Sequence, residues 1–178
     1  MSGSDEALAV YDRLWAAARE TFAAGRVKTD PYLLDRAADR RRGISLVIRP
    51  SPPVIARLGL LIDELSAIVP RQHVYRPGEL HLTLLSLVNV SAEFDRSRVP
   101  LDRYRAVLGA LFSQVQPFDI HLTGVTASPD TVFVFGYSED DALNTLRDRL
   151  REELTRVGLG ETLDRRYRIV TTHSTVLR

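Results

Sequence analysis

The chain has 178 residues, 44% of them hydrophobic and 26% charged, with a formal net charge of +1, the composition of a soluble globular protein large enough to bury a substantial core. It has no cysteine, which excludes disulfides, thiolate nucleophiles and thiolate metal sites, and no apolar run approaches the ~20 residues that a membrane-spanning helix needs. The near-neutral balance demands neither a nucleic-acid nor a membrane partner, although a local basic cleft is compatible with it. The polar, acidic opening Met1-Ser2-Gly3-Ser4-Asp5-Glu6 lacks the basic start and apolar stretch of a secretory leader, so a cytoplasmic protein is expected.

Residues 5–24 read as an amphipathic helix, with Leu8, Tyr11, Leu14, Trp15, Ala18 and Phe22 at three- and four-residue steps and Gly25 as its stop. Asp30-Pro31 has the form of an N-cap and first-turn proline, predicting a short helix to about Arg41. Arg40-Arg41-Arg42 is then its solvated basic end. Ile44 to Ile48 is a buried strand closed by Pro50, Pro52 and Pro53, and 53–68 is an apolar helix with Ile55, Leu58, Leu61, Ile62, Leu65 and Ile68.

After Val74-Tyr75 and a turn at Pro77-Gly78, Leu80 to Val88 reads as a strand. Residues 101–115 form a helix with Leu101, Tyr104, Val107, Leu108, Leu111 and Phe112 on one face. Phe118 to Val125 is a strand, joined through Ser128-Pro129-Asp130 to its partner Val132 to Tyr137. Residues 139–157 form a charged amphipathic helix whose acidic start, Ser138-Glu139-Asp140-Asp141, suits the positive helix end. Tyr167 to Leu177 is the last strand. Helices and strands alternate, yet several strands are joined by short turns, which favours an α+β fold with antiparallel pairing in a single domain.

The chain has four histidines, His73, His81, His121 and His173, and three of them are followed by Thr two residues later: His81-Leu82-Thr83, His121-Leu122-Thr123 and His173-Ser174-Thr175. With 12 threonines in the chain, one such match arises by chance roughly once in fifteen, the usual risk of short motifs. In a strand, residues i and i+2 point to the same face, so each motif presents an imidazole beside a hydroxyl. Thr is also favoured in strands, and such a pair can be mere cross-strand packing. Two motifs facing each other supply two proton carriers and two hydrogen-bond donors, parts suited to phosphodiester chemistry without a metal.

An internal repeat sorts the three copies. Strand 44–48, helix 53–68 and the strand carrying His81 match strand 132–137, helix 139–157 and the strand carrying His173. The strand start precedes the histidine by 37 residues in the first unit and 41 in the second. His121 lies before the second unit begins and is expected on a strand surface at the rim, and His73 is expected in a loop or at a strand edge. Leu80, Leu82 and Leu84 take the face opposite His81 and Thr83. By the same alternation Ile169, Thr171, His173, Thr175 and Leu177 share one face of the last strand, and Val170, Thr172, Ser174 and Val176 share the other.

Leu80-His81-Leu82-Thr83-Leu84-Leu85 and Thr172-His173-Ser174-Thr175-Val176-Leu177 resemble the two signatures of the two-histidine (2H) phosphoesterase superfamily, which includes proteins named 2′-5′ RNA ligases and cyclic nucleotide phosphodiesterases. The hairpin across Ser128-Pro129 resembles the one between the family's motifs, and the resemblance spans roughly residues 44–178. It implies a bilobal fold of duplicated β-α-β units with antiparallel sheets, outer helices and an active-site cleft between the lobes. It also implies that His81, Thr83, His173 and Thr175 are catalytic.

Family members usually continue with another helix and strands after the second motif, and this chain has instead about 43 residues before its first core strand. Residues 1–43 are therefore expected to be a helical extension packed on a two-lobed domain, 44–178, covering the surface that the later segment covers elsewhere.

The implied activity is hydrolysis of a 2′,3′-cyclic phosphate or a 2′-5′ phosphodiester of a nucleotide or RNA end, with one histidine as base and the other as acid. Alternatives are 2′-5′ RNA ligation and a non-catalytic nucleotide- or RNA-binding module. The family often has a basic residue where Arg178 stands, which either meets phosphate or is a frayed terminal side chain. Tyr137 either stacks on a base or is a plain core or rim aromatic. No cofactor, metal or membrane contact is expected, and the protein is expected to be a monomer.

Overall fold

The computed structural model describes residues 3–27, 29–138, 140–165 and 167–178. Met1 and Ser2 of the polar opening, and Glu139 in the acidic start of the charged helix, lie outside the described residues. The chain folds as α1 (Gly3–Ala23), β1 (Arg42–Ile48), α2 (Pro52–Ile68), β2 (Leu82–Ser91), α3 (Leu101–Phe112), β3 (His121–Ser128), β4 (Thr131–Tyr137), α4 (Ala142–Arg156) and β5 (Thr172–Leu177), with three single-turn 3-10 helices. This is the expected α+β fold with two antiparallel sheets, β1-β2 and β3-β4-β5. Among the described residues no helix is long and apolar enough to cross a membrane.

The N-terminal elements depart from expectation in instructive ways. α1 ends as predicted, with Gly25 at φ 65° and the Gly25 and Arg26 amides donating to the Phe22 and Thr21 carbonyls, a Schellman closure. Only a narrow stripe of it is buried, Ala7, Tyr11 and Ala18, while Leu8, Trp15 and Phe22 are more than 40% exposed. Residues 31–41 do not form one helix. They form two 3-10 turns, Pro31–Leu33 and Arg36–Ala38. Asp30 and Asp35 accept hydrogen bonds from the Tyr32 and Ala38 amides, and such local bonding competes with an α ladder. Nor is Arg40–Arg42 a helix end. Arg41 pairs with Asp39 and Asp30 and lies 4.1 Å over the Tyr32 ring, and Arg42 opens β1.

The internal repeat appears in the strand registers. Ile48 pairs with Leu82, Val47 with Thr83 and Leu46 with Leu85, leaving Leu84 as an extra residue. Val134 pairs with Ser174, Phe133 with Thr175 and Val132 with Leu177, leaving Val176 as the extra residue. Each motif threonine is thus followed directly by a β-bulge. The bulge corrects the simple alternation read from the sequence. Partners across an antiparallel pair share a face, so Leu177 lies with Val132 on the face opposite Thr175 and joins the α2 core. Arg178, next in line, returns to the side of His173 and Thr175.

The helices are exchanged between the units. Leu143, Leu146, Leu150 and Leu154 of α4 pack with Tyr104 and Leu111 of α3 against Leu84, Leu85 and Leu87 of the first sheet. Leu58 and Ile62 of α2 pack with Leu80 on Val134, Val176 and Leu177 of the second. The other face of the second sheet is covered by α1, where Tyr11 meets Phe133 and Phe135.

Candidate functional site

His81 stands one residue before β2, between the buried Leu80 and Leu82. A tight turn delivers it: the Glu79 and Leu80 amides donate to the Arg76 carbonyl, and Arg49 donates to the Gly78 and Leu80 carbonyls. The His81 Nδ1 lies 2.6 Å from the Glu79 carbonyl oxygen. A carbonyl only accepts, so Nδ1 carries a proton, and Nε2 is the nitrogen left for chemistry.

His173 is set in β5 opposite Phe135, with its ring 4.7 Å from that of Phe133. Its Nδ1 is buried and has no hydrogen-bond partner among the described residues. Burial, then the positive charge of Arg147, then His81 push its pKa down to about 4, so it is neutral at physiological pH.

The residue that joins the two motifs is Arg147, which sequence reasoning missed. Its Nη2 donates to the carbonyls of Thr83, at 3.0 Å, and Thr171, at 2.7 Å. Its Nε donates to Leu84 at 2.9 Å and its Nη1 to the Asn144 side chain at 3.0 Å. One guanidinium thereby stitches the first motif, on β2, to the chain two residues before His173. Arg147 has no exposed surface, and burial lowers its pKa to about 10, so it stays charged. The signal was present in the helix pattern: Arg147 stands four residues after Leu143 and three before Leu150, within the buried leucine stripe, where a cation needs a dedicated set of acceptors.

Tyr11 lies on the buried face of α1. Its hydroxyl donates to the Thr172 carbonyl at 2.7 Å and accepts from the Thr172 amide at 2.6 Å, standing in for a missing neighbour strand beside His173. Burial raises its pKa to about 12, so it remains a neutral phenol.

The other sequence candidates fall around this pair. Arg178 is held between Asp30, at 3.3 Å, and Asp130, at 3.2 Å. Tyr137 ends β4 opposite His121, with ring centroids 6.5 Å apart, and by alternation it shares the face of Phe133 and Phe135. His121 is exposed on β3. His73 pairs backbone to backbone with Arg178 and meets the Arg36 guanidinium at 2.9 Å. Among the described residues no group of three or more His, Asp or Glu converges as a metal site.

A cavity of about 1180 Å³ lies between α2 and β3, lined by His121, Leu122 and Thr123 and, of the other two motifs, by Leu82 alone. A smaller one, about 290 Å³, lies among Asp30, Arg36, His73, Glu79 and Arg178. In comparisons with known proteins, the family model described as the 2′-5′ RNA ligase superfamily matches residues 50–178. No curated protein matches the chain.

Proposed function

Because the chain belongs to the 2′-5′ RNA ligase superfamily, the two-histidine phosphoesterases, an enzyme superfamily, we propose that His81, Thr83, His173 and Thr175 line one cleft between the sheets and hydrolyse a 2′,3′-cyclic phosphate or a 2′-5′ phosphodiester without a metal. The observation that carries this reading is the Arg147 tie, which holds the Thr83 and Thr171 carbonyls on a single nitrogen. The matching bulges after Thr83 and Thr175 add to it, because they give both motifs the same local geometry.

In the proposed reaction water attacks phosphorus as the bond to the leaving ribose oxygen breaks. His173, neutral in the free protein, takes the proton from water. A bound phosphate anion offsets the charge this creates and lifts the pKa of His173 toward neutrality. His81 enters the step as the imidazolium, one proton tied through Nδ1 to the Glu79 carbonyl, and delivers its second proton from Nε2 to the leaving oxygen, ending as the neutral ring. The Thr83 and Thr175 hydroxyls donate to the non-bridging oxygens as charge builds on them. Arg178 closes on the phosphate once it leaves Asp30 or Asp130, and Tyr137 stacks on the base.

The test is turnover of the four 2′,3′-cyclic nucleotides and of a 2′-5′ dinucleotide in the presence of a chelator. Activity that survives the chelator and disappears in both His81→Ala and His173→Ala supports the reading. Activity that needs metal refutes the mechanism, and binding without turnover points to a nucleotide-binding module.

A further inference from the structure

The 290 Å³ cavity is lined by Glu79 and Arg178, which stand two residues before His81 and three after Thr175. Glu79, one wall, carries the carbonyl that holds His81. Arg178, another wall, lies on the side of His173 and Thr175 because of the bulge at Val176. The remaining wall is built by residues 30–42, outside the segment that matches the family model.

The charges in this cavity are not equivalent. Asp30 is committed to Arg41 and Arg178, and Asp39 to Arg41. Glu79 accepts from the Arg76 amide. Arg36 is different: it is exposed, and its guanidinium rests on the imidazole of His73 at 2.9 Å rather than on a carboxylate. Burial and then the positive charge of Arg36 lower the pKa of His73, against the opposing pull of Glu79. An exposed guanidinium that rests on an imidazole, with Arg178 lining the same cavity, has donors left for an anion.

We propose that Arg36, backed by His73, forms a second phosphate subsite beside the histidine pair, so that the substrate is the end of a single-stranded oligonucleotide rather than a free cyclic mononucleotide. The substrate class named here rests on the proposed two-histidine reaction, whereas the subsite itself is a statement about binding. The N-terminal segment is then a specificity element, reading the phosphate next to the reacting one.

Binding separates the two claims. The affinity of the full chain for a 3′-phosphorylated trinucleotide and for a nucleoside 3′-phosphate is measured by calorimetry between about 50 and 300 mM salt, a roughly sixfold range that spans physiological ionic strength. The trinucleotide is expected to bind on the order of tenfold more tightly, with Arg36→Ala removing that preference and Arg36→Lys restoring much of it. Loss of one phosphate contact should reduce the slope of log affinity against log salt by about 0.7 for a single strand. Arg36 is exposed on a 3-10 turn, so its variants should melt as the parent does. Equal affinity for the two probes, or a trinucleotide preference and salt slope unchanged in Arg36→Ala, overturns the subsite. Arg36-dependent trinucleotide binding by a protein that turns over no cyclic phosphate upholds the subsite and overturns the hydrolytic reading instead.

Discussion

Replacing Arg147 with Met keeps the aliphatic stem and removes the guanidinium that joins the motif strands. Three backbone carbonyls, of Thr83, Leu84 and Thr171, lose their donor. Each acceptor left unsatisfied costs about 1 kcal/mol or somewhat more, so the loss is about 3–5 kcal/mol. Against this, the variant no longer buries a cation. The lowering of the Arg147 pKa to about 10 corresponds to about 3 kcal/mol of desolvation removed. The net fall in global stability is therefore small, about 0–2 kcal/mol, and is read from the midpoint of urea unfolding.

The local consequence is larger, because Thr83 and His173 lose their common anchor and a shift of about 1 Å costs on the order of 10²-fold in rate. Removing the positive charge also raises the His173 pKa, which a titration of the imidazole by NMR reads directly. Arg147→Lys should keep much of the His173 depression yet still lose activity, since an ammonium cannot span the same acceptors. Wild-type kcat/KM in Arg147→Met, together with an unmoved His173 titration, would refute the tie.

His81→Ala and His173→Ala should each lower the rate by about 10²–10⁴ while leaving chelator resistance of the parent as it is. Stability should fall in acid: His173 has a folded pKa of about 4, below its ordinary value of 6.5, so the unfolded chain takes up its proton first. Its contribution is complete above about pH 6.5 and is lost as pH falls toward 4, by up to about 2 kcal/mol after allowing for the ring's partial exposure. Urea unfolding of His173→Phe against the parent across that range isolates it, and parallel curves reject the assignment. Tyr11→Phe leaves both backbone groups of Thr172 without their partner and should cost about 2–3 kcal/mol, measured by thermal or urea unfolding. Deleting residues 1–40 should expose Phe133 and Phe135 and lower the melting temperature, and a truncated protein that melts like the parent counts against α1 as a structural cover.

The elements from β1 onward were legible in the sequence because period-2 and period-3.6 patterns are local, as was the repeat of His81-Leu82-Thr83 in His173-Ser174-Thr175. What local pattern cannot encode is how many residues each strand sets against its partner. The bulges at Leu84 and Val176 depend on β1 and β4, and they alone decide that Leu177 enters the α2 core while Arg178 stands on the motif side. Nor can a one-dimensional charge pattern show what surrounds a cation. Arg147 reads as one charge in a charged helix until α4 crosses to the other unit's sheet and finds the carbonyls of Thr83, Leu84 and Thr171 in its path. The sequence by itself determined which side chains are equipped for proton transfer. Tertiary structure decided which of them are desolvated, which are tied together, and which, like Arg178, are already engaged, because burial and pairing are properties of what packs around a residue and not of the residue alone.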